Sequence, residues 1–172
     1  MADVITQVGE AYAGSGPEAA HVNTVLGRKG GPVETAWATA LATPRLGHTP
    51  FVAVLRPDLP AKPLTLFVNK AAVVPGDHAR LTWGAAQAGV ASGVMWAVAD
   101  DLIDQGDVDD LLLIAAVWVD PAAAVEAAVY ENNRRAVRDA LAAGARRAPP
   151  LDEVMAVRDD PRNPYFGLPG LT

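Results

Sequence analysis

Leu111-Leu112-Leu113-Ile114-Ala115-Ala116-Val117-Trp118-Val119 is the stretch on which the fold turns. It follows Asp109-Asp110 and is a continuous apolar run of strand length. Such a run lacks the polar alternation of a half-exposed strand, so it is predicted to be a central strand of a sheet.

Towards the C-terminus, residues 122–143 are rich in alanine, with Val125, Val129, Val137 and Leu141 forming a helical stripe. The tail beyond Pro149 shows no periodicity, so about residues 146–172 are expected to be irregular, wrapping the surface or a neighbouring subunit. On the N-terminal side, Asp77 offers an N-cap to a long helix in which Val90, Val94, Ala97 and Val98 recur at helical spacing. Two strands are predicted before it, over 50–55 and 64–74. They are bounded by the connector Arg56-Pro57-Asp58-Leu59-Pro60 and by Pro75-Gly76. Two more are predicted over 4–12 and 19–26, separated by Gly14-Ser15-Gly16-Pro17. The run Gly27-Arg28-Lys29-Gly30-Gly31-Pro32 breaks the second of these, and Pro32 with Glu34 suits the start of a helix reaching about Leu41. The order ββα, ββα, βα points to an α/β (α+β) two-layer sandwich: a mixed or mainly antiparallel sheet with helices on one face. No repeat or linker divides the chain, so residues 1–172 are expected to form a single domain.

Of the 172 residues, 51% are hydrophobic and 20% charged, the balance of a folded globular domain. The formal net charge of −6 argues against a nucleic-acid partner, whose phosphates call for a basic face. Small basic groups at Arg134, Arg135 and Arg138 and at Arg146 and Arg147 read as solvated helix faces. The absence of cysteine excludes disulfides, thiolate metal sites and cysteine nucleophiles. No secretory signal is visible. The longest apolar stretch, 85–99, is interrupted by Gln87, Ser92 and two glycines and is too short to span a bilayer. A soluble, cytoplasmic protein without membrane contact is expected.

None of the three histidines stands at metal-ligand spacing, and no nucleophile elbow, phosphate loop or dinucleotide fingerprint is present. The glycine-rich loop at 27–31 is a weak signal, read as a tight turn or, less often for such loops, as a phosphate cradle. His21 lies in a predicted strand between Ala20 and Val22, and Asn23, two residues on, shares its face. From these residues alone, His21 is either a hydrogen-bonded structural histidine or a reactive group. Lys70 interrupts an apolar strand after Phe67-Val68-Asn69, either at an exposed edge or aimed at a ligand. Gln87 is a polar residue near the start of an apolar helix, where it either caps backbone or meets a ligand.

Several motifs, in order, carry a resemblance. They are Ala20-His21-Val22-Asn23, Leu26-Gly27-Arg28-Lys29-Gly30-Gly31-Pro32-Val33-Glu34-Thr35-Ala36, Gly47-His48-Thr49-Pro50, and Arg56-Pro57-Asp58-Leu59-Pro60-Ala61-Lys62-Pro63 with Thr65. Asn69-Lys70, Trp83-Gly84-Ala85-Ala86-Gln87-Ala88-Gly89-Val90-Ala91 and Tyr130-Glu131-Asn132-Asn133 continue the series. Over about residues 5–145 the chain resembles the formaldehyde-activating enzyme family. That resemblance implies a lyase of one-carbon metabolism and formaldehyde detoxification, which condenses formaldehyde with tetrahydromethanopterin to a 5,10-methylene adduct and water. It also implies a fold related to a ribosomal-protein domain and a homopentamer with clefts between subunits. The reduced pterin would be a co-substrate, with no bound cofactor. By resemblance His21 is the proton donor, and Asn23, Val52, Lys70, Ala72 and Gln87 occupy pterin-contacting positions.

The family's usual aspartate is Asn23 here, and its threonine is Ala72. Asn23 keeps hydrogen-bonding ability but has no charge with which to favour a protonated His21. These differences leave open a paralogue using another amine cofactor or aldehyde, or a non-catalytic pterin or aldehyde sensor.

Overall fold

The computed structural model describes residues 6–163. Its elements in chain order are β1 (Gln7–Ala13), β2 (Ala20–Arg28), α1 (Pro32–Ala42), β3 (Phe51–Val52), β4 (Val54–Arg56), β5 (Leu59–Pro60) and β6 (Leu64–Asn69). Then come α2 (Asp77–Arg80), which runs through a π-type segment (Leu81–Ala86) into α3 (Gln87–Ala99), and β7 (Leu111–Trp118), α4 (Glu126–Arg146) and α5 (Leu151–Ala156). The five-stranded sheet has the order β1-β2-β7-β6-β3, so the apolar run at 111–118 is the middle strand, as its lack of alternation requires. It pairs antiparallel with β2 and parallel with β6, which makes the sheet mixed.

Residues paired across strands project to the same side of the sheet. Val22, Leu113, Ala115, Val117 and Phe67 point into the main core, where Val90 and Val94 of α3 and Val129 and Val137 of α4 are also fully buried. Burying each such side chain stabilises the fold by roughly 1.5–3 kcal/mol. Helices α3 and α4 pack on each other, and α4 lies on β1 and β2. Glycine permits both approaches. A Cβ on Gly9 would fall on the Ala140 carbonyl of α4, and one on Gly93 would fall on the Arg134 carbonyl. Helix α1 packs against β2 and β7.

The opposite sheet face is half-open. His21 and Asn23 on β2 register with Trp118 and Ala116 on β7 and with Tyr12 and Glu10 on β1, and all four of these partners are intermediate or exposed. Val52 pairs with Leu66 and so belongs to this side too.

Several local expectations are corrected. Strand β2 does not break at Gly27, because Gly27 and Arg28 still pair with Leu112 and Leu111. The strand expected over 64–74 ends at Asn69, whose side-chain amide donates to the carbonyls of Gly47 and Ala71 and so secures a turn. The segment 50–55 is split into two short strands, and the proline-rich connector folds into a small hairpin in which β4 pairs with β5. Its turn is made by Asp58 at φ 63°. Gly76, not Asp77, is the N-cap of the helix. Asp77 is the first helical residue, with its carboxylate at the positive helix end. In the tail, residues 151–156 form α5 although they show no periodicity. Residues 4 and 5 of the first expected strand lie outside the described residues.

Candidate active site

Three elements end at one corner of the open sheet face. Strand β2 begins with Ala20-His21, β7 finishes at Trp118, and Lys70 follows directly on β6. The Lys70 amide still donates to the Val117 carbonyl at 2.8 Å, so the ladder holds this residue in strand geometry for one more step. Its side chain then crosses the end of β7 to reach β2. The Lys70 ammonium lies 3.2 Å from His21 Nδ1 and donates to the His21 carbonyl at 3.3 Å.

Strand β1 supplies the other two neighbours. Tyr12, directly opposite His21, stacks on the imidazole with ring centroids 4.0 Å apart and planes 4° from parallel. Glu10, one diagonal position away, places Oε1 2.9 Å from His21 Nε2. A carboxylate only accepts hydrogen bonds and an ammonium only donates them. This arrangement therefore fixes a neutral imidazole with its proton on Nε2, donated to Glu10, and with Nδ1 accepting from Lys70.

A pocket of about 140 Å³ opens beside these groups. His21, Lys70 and Asp120 supply its polar wall, Tyr12 and Trp118 its aromatic wall, and the turn at Gly16 and Ala19 closes it. Burial lowers the His21 pKa from its ordinary value, the Lys70 charge lowers it further, and Glu10 opposes both. Burial also brings the Lys70 pKa down to about 8, with Glu10 again opposing. Two titratable groups with depressed pKa values thus share one partly dry corner and a carboxylate.

Of the residues singled out from sequence, His21 and Lys70 are brought together. Asn23 and Val52 share their sheet face but do not line the pocket. Ala72 is exposed in the turn beside Gly47. Gln87 is elsewhere: its Oε1 accepts from the Val54 amide at 3.1 Å and its Nε2 donates to the Val54 carbonyl at 3.0 Å. Both ends of its side chain hold β4, the reason a polar group is tolerated at a buried helix position. The other histidines are bound to backbone. His78 accepts from the Val74 amide at 2.9 Å and meets the Val119 carbonyl at 3.0 Å, and His48 Nδ1 lies 3.0 Å from the Asn69 carbonyl. Among the described residues no three histidine, aspartate or glutamate side chains cluster so as to hold a metal ion.

Sequence reasoning missed Glu10, Tyr12, Trp118 and Asp120. Alternation along β1 placed Glu10 and Tyr12 on one face, and only the strand register shows which face and opposite whom.

Comparison with known proteins gives a consistent picture. Residues 8–166 match the family model described as formaldehyde-activating enzyme (Fae). The chain is 42% identical over 160 residues to a 5,6,7,8-tetrahydromethanopterin hydro-lyase of Methanosarcina barkeri, covering 93% of this chain and 90% of that protein. It is 39% identical to a bifunctional enzyme Fae/Hps of Methanosphaera stadtmanae, over 98% of this chain but 41% of that protein. A protein of the same name from Archaeoglobus fulgidus is 37% identical, over 94% of this chain and 41% of its own length. The chain thus spans nearly the whole of the first relative and about two-fifths of each bifunctional one.

Proposed function

The chain belongs to the formaldehyde-activating enzyme family, and from that premise we propose that it is a lyase that condenses formaldehyde with tetrahydromethanopterin to the 5,10-methylene adduct and water. The observation that carries the reading at the level of chemistry is the pairing of His21 with Lys70 beside the pocket, at 3.2 Å.

The reaction asks for what that corner provides. An amine nitrogen of the pterin adds to formaldehyde readily and gives a carbinolamine. Loss of its hydroxyl is slow at neutral pH and is accelerated by a positioned acid, worth about 10²–10⁴-fold. The second pterin nitrogen then captures the iminium, a step that depends on the two nitrogens being held in place. Tyr12 and Trp118 offer flat apolar walls for a ring system, and the Asp120 carboxylate offers an acceptor for its N–H groups. Asn23 and Val52 extend this surface along the open sheet face. Gln87 acts through β4, whose backbone it holds. No step requires a metal ion or a redox group.

The finer features expected from the resemblance belong to the same proposal. The protein works in the cytoplasm as a homopentamer, binding formaldehyde and the reduced pterin as substrates. Among the described residues no helix is long and apolar enough to cross a membrane. The test is the rate of methylene-adduct formation from formaldehyde with tetrahydromethanopterin and, in parallel, with tetrahydrofolate. Acceleration above the spontaneous rate with the first supports the reading, and acceleration with tetrahydrofolate alone replaces the acceptor.

A further inference from the structure

We propose that Lys70 is itself an acceptor for formaldehyde: when no pterin occupies the pocket, its side-chain nitrogen holds the aldehyde as a reversible iminium, and His21 donates the proton that expels water. The inference takes its aldehyde from the condensation reading above and keeps His21 as the proton donor. It adds a second, covalent way for the same site to hold the one-carbon unit.

The pocket carries an amine of its own. Lys70 lines it beside His21, and the Lys70 nitrogen lies 3.2 Å from His21 Nδ1 and 3.3 Å from the His21 carbonyl. A hydroxyl one carbon away from that nitrogen stays within reach of the same ring atom, so an acid is already in place for a carbinolamine formed there. The chain has two other lysines, and both are held differently. Lys29 and Lys62 are exposed, Lys29 donating to the Asp109 carbonyl and Lys62 pairing with the Asp109 carboxylate. Lys70 is half-buried, and that burial brings its pKa down to about 8. The neutral amine is the form that attacks a carbonyl, and a desolvated lysine supplies it near neutral pH. The product is cationic, as the ammonium is, so the charge facing Glu10 and the Asp120 carboxylate of the pocket wall is kept.

The steps balance without a further reactant. The Lys70 ammonium passes one proton to His21 Nδ1, and the imidazolium is supported by Glu10 at Nε2. The free amine adds to the formaldehyde carbon, and a proton moves from nitrogen to the new oxygen to give the carbinolamine. His21 returns its proton to that hydroxyl, the C–O bond breaks, and the nitrogen lone pair closes the C=N bond as water leaves. Ammonium and formaldehyde have become iminium and water, and His21 is neutral again. Addition of water reverses the sequence and releases the aldehyde.

Reductive trapping tests this without any pterin. The folded protein is treated at pH 7 with dilute formaldehyde and cyanoborohydride, which converts an iminium into a methylamine, and peptide mapping by mass spectrometry follows each lysine. Lys70 is expected to be methylated at least about tenfold faster than Lys29 or Lys62, because more of it is neutral at that pH. In urea the three are expected to react at similar rates. His21→Gln keeps a polar side chain but has no proton to give, and is expected to slow labelling of Lys70 by about tenfold or more while Lys29 and Lys62 are unaffected. Labelling of Lys70 no faster than the two exposed lysines, the same preference in the unfolded chain, or an unchanged rate in folded His21→Gln would each overturn the inference. Absence of pterin condensation would overturn the proposed function instead, while the trapping would still decide whether Lys70 takes up the aldehyde.

Discussion

Glu10 and His21 sit on adjacent antiparallel strands, one diagonal position apart, and their side chains meet at 2.9 Å on the open face of the sheet. Diagonal neighbours lie within reach of long side chains, so β1 can serve β2 without distorting either strand. The same register puts Tyr12 directly over the imidazole. Tyr12 contributes to the burial that depresses the His21 pKa, so Tyr12→Ala is expected to raise it towards 6.5. An NMR titration of His21 checks this, and an unchanged or lower value contradicts it.

Lys70 makes stability depend on pH in a definite direction. Its folded-state pKa of about 8 lies below the unfolded value of 10.5, so between these the unfolded chain binds more protons. Stability attributable to this group therefore rises as pH goes from about 8 to 10.5, with the cost of the buried charge present in full below that window. The unfolding midpoint of the unaltered protein, relative to Lys70→Met, is expected to rise across this range. A flat difference in denaturant titrations at pH 7.5, 9 and 10 argues that Lys70 is not desolvated.

Two glycines of one continuous helical stretch should respond oppositely to alanine. At Gly93 a Cβ would fall on the Arg134 carbonyl of α4, so Gly93→Ala is expected to cost about 1–3 kcal/mol by forcing the helices apart. At Gly84 nothing lies within 4 Å, so Gly84→Ala is expected to be neutral or to add up to about 1 kcal/mol through lower unfolded-state entropy. Urea unfolding of the two variants decides it, and equal effects would mean that the α3–α4 contact is looser than described.

The proposed pentamer has its own check. Val8 and Tyr12 are 64% and 48% exposed on β1, and Trp83 is 48% exposed near the start of α3. Burial of such surface in a ring predicts a light-scattering mass of five chains. A monomer mass at micromolar concentration would remove the assembly from the account.

Long-range pairing explains which parts of this molecule were legible in the sequence. The apolar run at 111–118 announced its central position, and Pro32 with Glu34 announced α1, because those signals are local. His21 and Lys70 were visible as polar interruptions of apolar strands. Nothing in the sequence joined them, since their contact depends on β2 and β6 both flanking β7. Glu10 escaped notice because an exposed glutamate on an alternating strand looks like ordinary surface. Gln87 stood out as a polar residue near the start of an apolar helix, and its double hydrogen bond to Val54 could not be read before β4 had a position. The end of β6 was misjudged because residues 70–74 keep a strand-like composition, while the turn is imposed by the Asn69 side chain reaching the Gly47 loop.

The most direct measurement is the initial rate of methylene-tetrahydromethanopterin formation from formaldehyde at pH 7, with and without the purified protein, repeated with His21→Ala. The account predicts a protein-dependent rate above the spontaneous one, reduced about 10²–10⁴-fold by the substitution while the protein stays folded. A rate equal to the spontaneous one, or a fully active folded His21→Ala, would contradict it.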